Sequence, residues 1–353
     1  LSKVMAKSDE GTIASVITNI TEKNTNEDSI LSLKVMADFS EKSPEKLETF
    51  AETNADQIEI LSIDAVQKAS VSNEDVDLIA KVVAVVNDDI ANIVVEEVSK
   101  SSSEEKQSLS AKVFQAIVET EPDKIEIIDD GVRDIMIQQT IESAKNQEEG
   151  TYTEEENLAD IVASIIVNTN TEIATQFIEE VNDIETETNL SLKVISGISE
   201  KDSERIDTLS EFNKEQMDQL TIDAVQNAEN TSEDSDLIAQ VVSVVNDDLV
   251  NVMIEEVSKT SVDDKQTLSA KVLQAIVETE PDKMEIINDE IRDVMIEQTI
   301  ESAKNQAEGT GIQEDENFTD IITDIIVNTD TETASKMIEE INDIETETNL
   351  SLE

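Results

Sequence analysis

Apolar residues recur along this chain at intervals of three and four. Leu78, Ile79, Val82, Val83, Val86, Ile90, Ile93, Val94 and Val98 place one apolar stripe on a helix face. Leu237, Ile238, Val241, Val242, Val245, Leu249, Val252, Met253 and Val257 write the same stripe again. Val and Ile favour strands, so a β reading competes at these stretches. Strict alternation is sustained nowhere, however, and Glu, Lys, Ala, Gln and Ser fill the polar positions. The pattern therefore predicts helices.

Punctuation agrees with it. Pro44, Pro122 and Pro281 each stand 13 residues after the leucine of an LSxKV string, and Ser203 takes that place once. Proline pre-organises the first helical position, where its missing N–H costs nothing. An acidic residue follows (Glu45, Asp123, Glu204 or Asp282), as a helix N-terminus prefers, and then a basic one (Lys46, Lys124, Arg205 or Lys283). The predicted unit runs from a short LSxKV helix through a proline turn to a helix over KIEII. A helix over TIDAVQ or TIESAK follows, then an acidic loop, then a helix pair over LIAxVVxVVNDD and IEEV.

The unit is repeated. LSLKV, LSAKV, LSLKV and LSAKV begin at Leu31, Leu109, Leu190 and Leu268, and their lysines Lys34, Lys112, Lys193 and Lys271 are spaced by 78, 81 and 78 residues. Copies one and three are alike, as are two and four, so a cassette of 159 residues is itself doubled; LSIDAVQKA at Leu61 returns as LTIDAVQNA at Leu220. The expected organisation is a partial repeat over 1–30, repeats over 31–108, 109–189, 190–267 and 268–349, and 350–353 as the start of a next repeat or a cloning junction. The acidic loops Glu148–Asn157 and Glu308–Asn317, with Gly150, Gly309 and Gly311, absorb the length difference between cassettes. Such units resemble α-solenoids of the HEAT/armadillo kind, and about 80 residues would make two helical repeats of that class. The fold class expected is all-α: tandem helical repeats in an α-solenoid-like elongated array, each unit burying its apolar face against the next.

Composition narrows the function. Apolar residues are 38% and aromatics 2%, enough for a thin aliphatic core and too few for stacking surfaces that bind bases or sugars. Phe39, Phe50, Phe114, Phe177, Phe212, Phe318 and Tyr152 are scattered singly and read as core fillers or loop anchors. The formal charge of −58 opposes compaction and offers no basic surface for phosphates, so nucleic acid is not an expected partner. No apolar run is long enough to span a membrane, and no membrane insertion is expected. Cys, His and Trp are absent, which removes disulfides, thiol nucleophiles and imidazole chemistry.

Four acidic strings are candidate cation sites: Asn87-Asp88-Asp89, Asn246-Asp247-Asp248, Asn168–Glu172 and Asn328–Glu332. Hard cations such as Ca²⁺ take several oxygen ligands, which makes Asp88, Asp89, Asp247 and Asp248 the weak metal candidates. The competing reading is a turn whose Asn or Asp caps the next helix, favoured because no EF-hand loop with its glycine is present. No cofactor is expected beyond weak screening by Ca²⁺ or other cations.

Paired glutamates at Glu96-Glu97, Glu179-Glu180, Glu255-Glu256 and Glu339-Glu340 suggest acid–base chemistry. That chemistry needs two carboxyls in different environments in one cleft. A pair copied once per unit reads instead as a solvated helix face, and no enzyme and no catalytic residue is expected. The lysines Lys34, Lys112, Lys193 and Lys271 either pair with carboxylates of the preceding unit and set its register, or lie on the surface with their stems over apolar area. Asn-x-Ser/Thr strings at Asn19, Asn189, Asn230, Asn317 and Asn349 are expected by chance.

These readings converge on a non-enzymatic structural repeat protein. It is expected to be a fragment of a longer acidic array, a surface or extracellular filament subunit that assembles head-to-tail with neighbouring copies. Missing cysteine does not fix the compartment. High negative charge, suited to saline surroundings, points toward export or the cell surface. The alternatives are an intracellular scaffold that binds a basic protein and a polyanion that imitates nucleic acid.

Overall fold

A computed structural model of the chain describes residues 2–23, 30–101, 106, 108–151, 157–184, 188–228, 231–260, 267–308 and 317–343. Tyr152, Asn230, Gly309, Gly311, Asn349, Leu352 and Glu353 lie outside the described residues, as do half of the loop Glu148–Asn157 and most of Glu308–Asn317. The described residues form α-helices and no strand. The chain is an all-α array of packed helical repeats. It divides into two compact units, 1–180 and 181–353.

In the first unit the helices are α1 (Ser2–Met5), α2 (Glu10–Lys23), α3 (Leu31–Lys42), α4 (Pro44–Thr53), α5 (Ala55–Gln67), α6 (Asn73–Val85), α7 (Asp88–Lys100), α8 (Leu109–Thr120), α9 (Asp123–Glu126), α10 (Asp130–Glu148) and α11 (Leu158–Asn168). The boundary falls within α12 (Thr171–Asp183). One layer stacks α1, α3, α6, α8 and α11 in that order; the other stacks α2, α5, α7 and α10. Each helix of the first layer packs on its partner in the second: α3 on α5, α6 on α7, α8 on α10. The second unit repeats the scheme. Its helices are α13 (Leu190–Lys201), α14 (Ser203–Phe212), α15 (Lys214–Gln226), α16 (Ser232–Val244), α17 (Asp247–Thr260), α18 (Leu268–Thr279), α19 (Asp289–Glu308), α20 (Phe318–Asn328) and α21 (Thr331–Asp343). Here α13, α16, α18 and α20 form one layer and α15, α17, α19 and α21 the other. The packing brick is thus a helix pair of roughly 40 residues, two to each sequence repeat.

The long Val-rich stripe breaks where a cap interrupts it. Asn87 ends the run and its side chain accepts from the Ile90 N–H at 3.1 Å, so α6 stops at Val85 and α7 begins at Asp88. Val82, Val83, Val94 and Val95 are all buried in helices. Burial contributes about 1.5–3 kcal/mol for such a side chain and outweighs the few tenths that strand propensity opposes.

The helix predicted over KIEII survives in two copies only. α4 and α14 each have ten residues, whereas α9 has four and its counterpart, Pro281–Glu285, is a five-residue 3₁₀ turn. The cause is the position of the next cap. Asn54 precedes α5 ten residues after Pro44, while Asp129 accepts from the Gly131 N–H at 3.0 Å only seven residues after Pro122. One turn is all that fits.

The core is aliphatic. Phe39, Phe50, Phe114, Phe177 and Phe318 are fully buried, and the Phe114 and Phe177 rings meet edge-on at 5.3 Å. Phe212 departs from the expected pattern: at the end of α14 it is 61% exposed. Gly150 closes α10 at φ +69°, a left-handed conformation that other residues resist, and Thr151 then donates its N–H to the Asn146 oxygen at 3.0 Å.

Candidate functional site

The acidic strings act as helix caps. Besides Asn87, Asn246 accepts from the Leu249 N–H at 3.1 Å and Asn170 from the Ile173 N–H at 2.9 Å. Asp330 accepts from the Glu332 and Thr333 N–H groups at 2.7 and 3.0 Å, and from the Thr333 hydroxyl at 2.6 Å. The Thr333 contacts hold the Asp330 carboxyl below the usual carboxylate range. Asp88, Asp89, Asp247 and Asp248 occupy the exposed first turns of α7 and α17, where the helix dipole favours negative charge. Asp88 lies 3.7 Å from Lys124 Nζ and Asp248 3.2 Å from Lys214 Nζ. Among the described residues no three acidic side chains are grouped to hold a metal ion.

The paired glutamates are split by the fold. Glu96 and Glu255 are solvated and pair with Lys100 and Lys259 one turn on, at 2.6 and 2.8 Å. Those hydrogen bonds raise both lysines above their ordinary range. Glu97 and Glu256 are buried, contrary to the solvated face expected of them, and accept from Gln67 and Gln226 at 3.0 and 2.8 Å. These contacts tie α7 to α5 and α17 to α15. The pairs Glu179-Glu180 and Glu339-Glu340 have no buried member.

The LSxKV lysines divide as well. Lys34 is exposed and pairs at 3.0 Å with Glu74, which lies within its own repeat rather than in the preceding one. Lys112 is buried and donates to the Val71 carbonyl at 3.3 Å; Lys271 is buried too. No common surface position describes them: Lys34 is exposed, Lys193 half-buried, and Lys112 and Lys271 buried.

The basic residue after each proline carries the more regular contact. Lys46 Nζ donates to the Ala6 oxygen at 3.1 Å, Lys124 to the Val86 oxygen at 2.8 Å and Lys283 to the Val245 oxygen at 3.0 Å. Val86 and Val245 are the C-cap residues just after α6 and α16, so each of these lysines caps the negative end of a helix one pair back. Gln139 and Gln298 add a second stitch. Each accepts from a serine of its own repeat (Ser110, 2.5 Å; Ser269, 2.7 Å) and donates at 2.8 Å to the carbonyl of Ser99 or Ser258 in the previous one. Sequence reasoning placed these lysines at a fixed offset without assigning their acceptors. The separation of 38–40 residues in these bonds equals the expected half-unit.

Two cassette copies differ at one carboxylate. Asp64 receives the Ser32 hydroxyl and pairs with Lys68 at 2.7 Å. Its counterpart Asp223 faces Asn227 in place of a lysine, accepts from Gln219 at 2.8 Å, and is pushed up by burial.

An open groove of about 740 Å³ lies in the second unit, between α14 and the start of α17. Asp207, Glu211, Asp247 and Asp248 face it with a single cation, Lys214, and Asn246 bridges it to Asp207 at 2.9 Å. Such a groove attracts cations or basic side chains. The sequence matches no protein-family model and no curated protein.

Proposed function

We propose that this chain is a non-enzymatic structural repeat protein, an acidic helical filament subunit of a cell surface or extracellular assembly that associates head-to-tail. The observation that carries the reading is the recurring stitch of Lys46, Lys124 and Lys283 onto the helix end one pair back. The recurring chemistry of the chain is spent on joining pairs, and its exposed carboxylates are spread over every long helix. In this reading salt or divalent cations screen the repulsion between copies and permit contact. Sedimentation velocity and negative-stain microscopy across NaCl and Ca²⁺ series test it. Linear particles that lengthen with ionic strength are expected; a strictly monomeric species throughout would refute it.

The groove facing Asp207, Glu211, Asp247 and Asp248 favours a second reading, an intracellular scaffold for a basic protein. An Arg/Lys-rich peptide should then bind with a steep salt dependence, and Asp247→Asn with Asp248→Asn should weaken it. Equal binding by the variant would remove this alternative.

A further inference from the structure

We propose that the outer face of α5, α7 and α10 docks a basic amphipathic helix of another protein, along a row of isoleucines that crosses these three helices. The partner is of the class named in the second reading above, but the surface is a different one and does not depend on the groove.

Ile60, Ile93 and Ile135 each stand six residues after the N-cap of their helix, Asn54, Asn87 or Asp129. These helices lie side by side in one layer, α5 on α7 and α7 on α10, and each packs on its partner in the other layer. The sixth position points away from that packing: Ile60 is 51% exposed, Ile135 46%, and Ile93 is half-buried. Ile63 and Val132, one turn away and half-buried, widen the row. The same position holds Ser15 on α2 and Gln176 on α12, after the caps Asp9 and Asn170. In the second unit Val252 and Val294 keep it apolar on α17 and α19, but Gln219 of α15 interrupts the row. A lone exposed apolar side chain is ordinary; three at one position on adjoining helices make a continuous surface. In this unit the segments outside the described residues, 24–29, 102–105, 107 and 152–156, come after the C-terminal ends of α2, α7 and α10. The row lies in the N-terminal half of each of its helices.

Spacing and charge select the occupant. Packed helices lie about 8–10 Å apart, and a helix rises about 10.5 Å over seven residues. A helix laid across the three therefore brings one apolar residue per heptad to each isoleucine. The three helices carry eleven carboxylates against Lys100, Arg133 and Lys145. Asp56, Glu59, Asp89 and Asp134 are exposed beside the row, whereas Arg133 is buried and Lys100 and Lys145 lie in last turns. Lysines or arginines that border a partner's apolar stripe meet these carboxylates. A second copy of this row would set carboxylate against carboxylate, and an anionic membrane is repelled likewise.

The test follows the fluorescence anisotropy of a labelled peptide of roughly 18 residues with the full chain in about 0.15 M NaCl. The peptide has Leu at the first and fourth heptad positions and Lys or Gln elsewhere. A second peptide of the same composition, with its leucines scrambled, separates the stripe from the charge. Wild type should bind the striped peptide at least about tenfold more tightly than the scrambled one. I60Q with I135Q installs the residue that α15 and α12 carry there, and should remove the difference while circular dichroism stays unchanged. V85Q, on exposed Val85 of α6, should behave as wild type, and so should D247N/D248N in the groove. A preference lost in D247N/D248N and kept in I60Q/I135Q would put the peptide in the groove and overturn this surface. Equal binding of both peptides by wild type would overturn it too, and would leave the groove standing if D247N/D248N weakens both. Capture of wild type on phosphatidylcholine vesicles, lost in I60Q/I135Q, would make the row a lipid surface instead.

Discussion

Lys124 reaches out of its own helix pair to donate from Nζ to the main-chain oxygen of Val86, 2.8 Å away, at the point where α6 ends. Lys283 and Val245 repeat the relationship 159 residues later. An ammonium placed on unpaired carbonyls satisfies acceptors that the helix leaves open and opposes the partial negative charge there. Lys124→Met keeps the apolar stem and removes the donor. It should cost about 1–2 kcal/mol in urea unfolding, and Lys283→Met about as much. Exposed Lys100→Met should leave the urea midpoint nearly unchanged.

The buried glutamates give the next expectation. Glu97→Ala removes the buried carboxylate whose charge-assisted hydrogen bond from the Gln67 amide ties α7 to α5. A loss of about 1–3 kcal/mol is expected, against less than about 1 kcal/mol for Glu96→Ala on the solvated side. Thermal melts of the two variants, run side by side, decide it.

Asp223 and Asp330 should respond to pH in opposite directions. Burial raises Asp223 above 3.8, so the folded chain holds that proton more tightly than the unfolded one. Its contribution is full below the unfolded value and is lost as pH rises through the higher folded value. Asn227→Lys supplies the partner that Lys68 gives Asp64, and should add about 0.5–1 kcal/mol at neutral pH while flattening that step. Urea midpoints of wild type and variant at about pH 3 and about pH 7 compare the two.

Asp330 is lowered by its Thr333 hydrogen bonds. Its contribution is present above the unfolded value and is lost as pH falls through the lower folded value. Asp330→Ala should therefore cost about 1 kcal/mol at neutral pH, and the difference from wild type should shrink in acid. The same midpoints, measured on D330A, check this.

Cations should act by screening. Net charge of −58 predicts that Ca²⁺ and Mg²⁺ raise the melting temperature alike, and that Asp88→Asn with Asp247→Asn leaves the Ca²⁺ effect in place. A Ca²⁺ response absent with Mg²⁺, and lost in the variant, would restore Asp88 and Asp247 as ligands.

Much of the fold was legible before any coordinates. Apolar spacing of three and four, the LSxKV repeats and the Asn caps locate helices by local rules, because caps and amphipathic stripes act over one or two turns. Asn87 and Asn246 were readable as caps for this reason, and their acceptor bonds confirm that reading. What a recurring side chain touches is a different kind of fact. Lys34 and Lys112 share a motif, yet one lies in solvent against Glu74 and the other is buried against the Val71 carbonyl.

By itself, then, the sequence determined the helical class, the repeat length with its two helical halves, and the positions of the caps. Tertiary packing decided which helices pair, that Glu97 is buried while Glu96 is not, and that Lys124 finds its acceptor 38 residues back. The first group depends on neighbours along one helix. The second depends on which surfaces meet when helices far apart in sequence stack, and no local pattern records that distance.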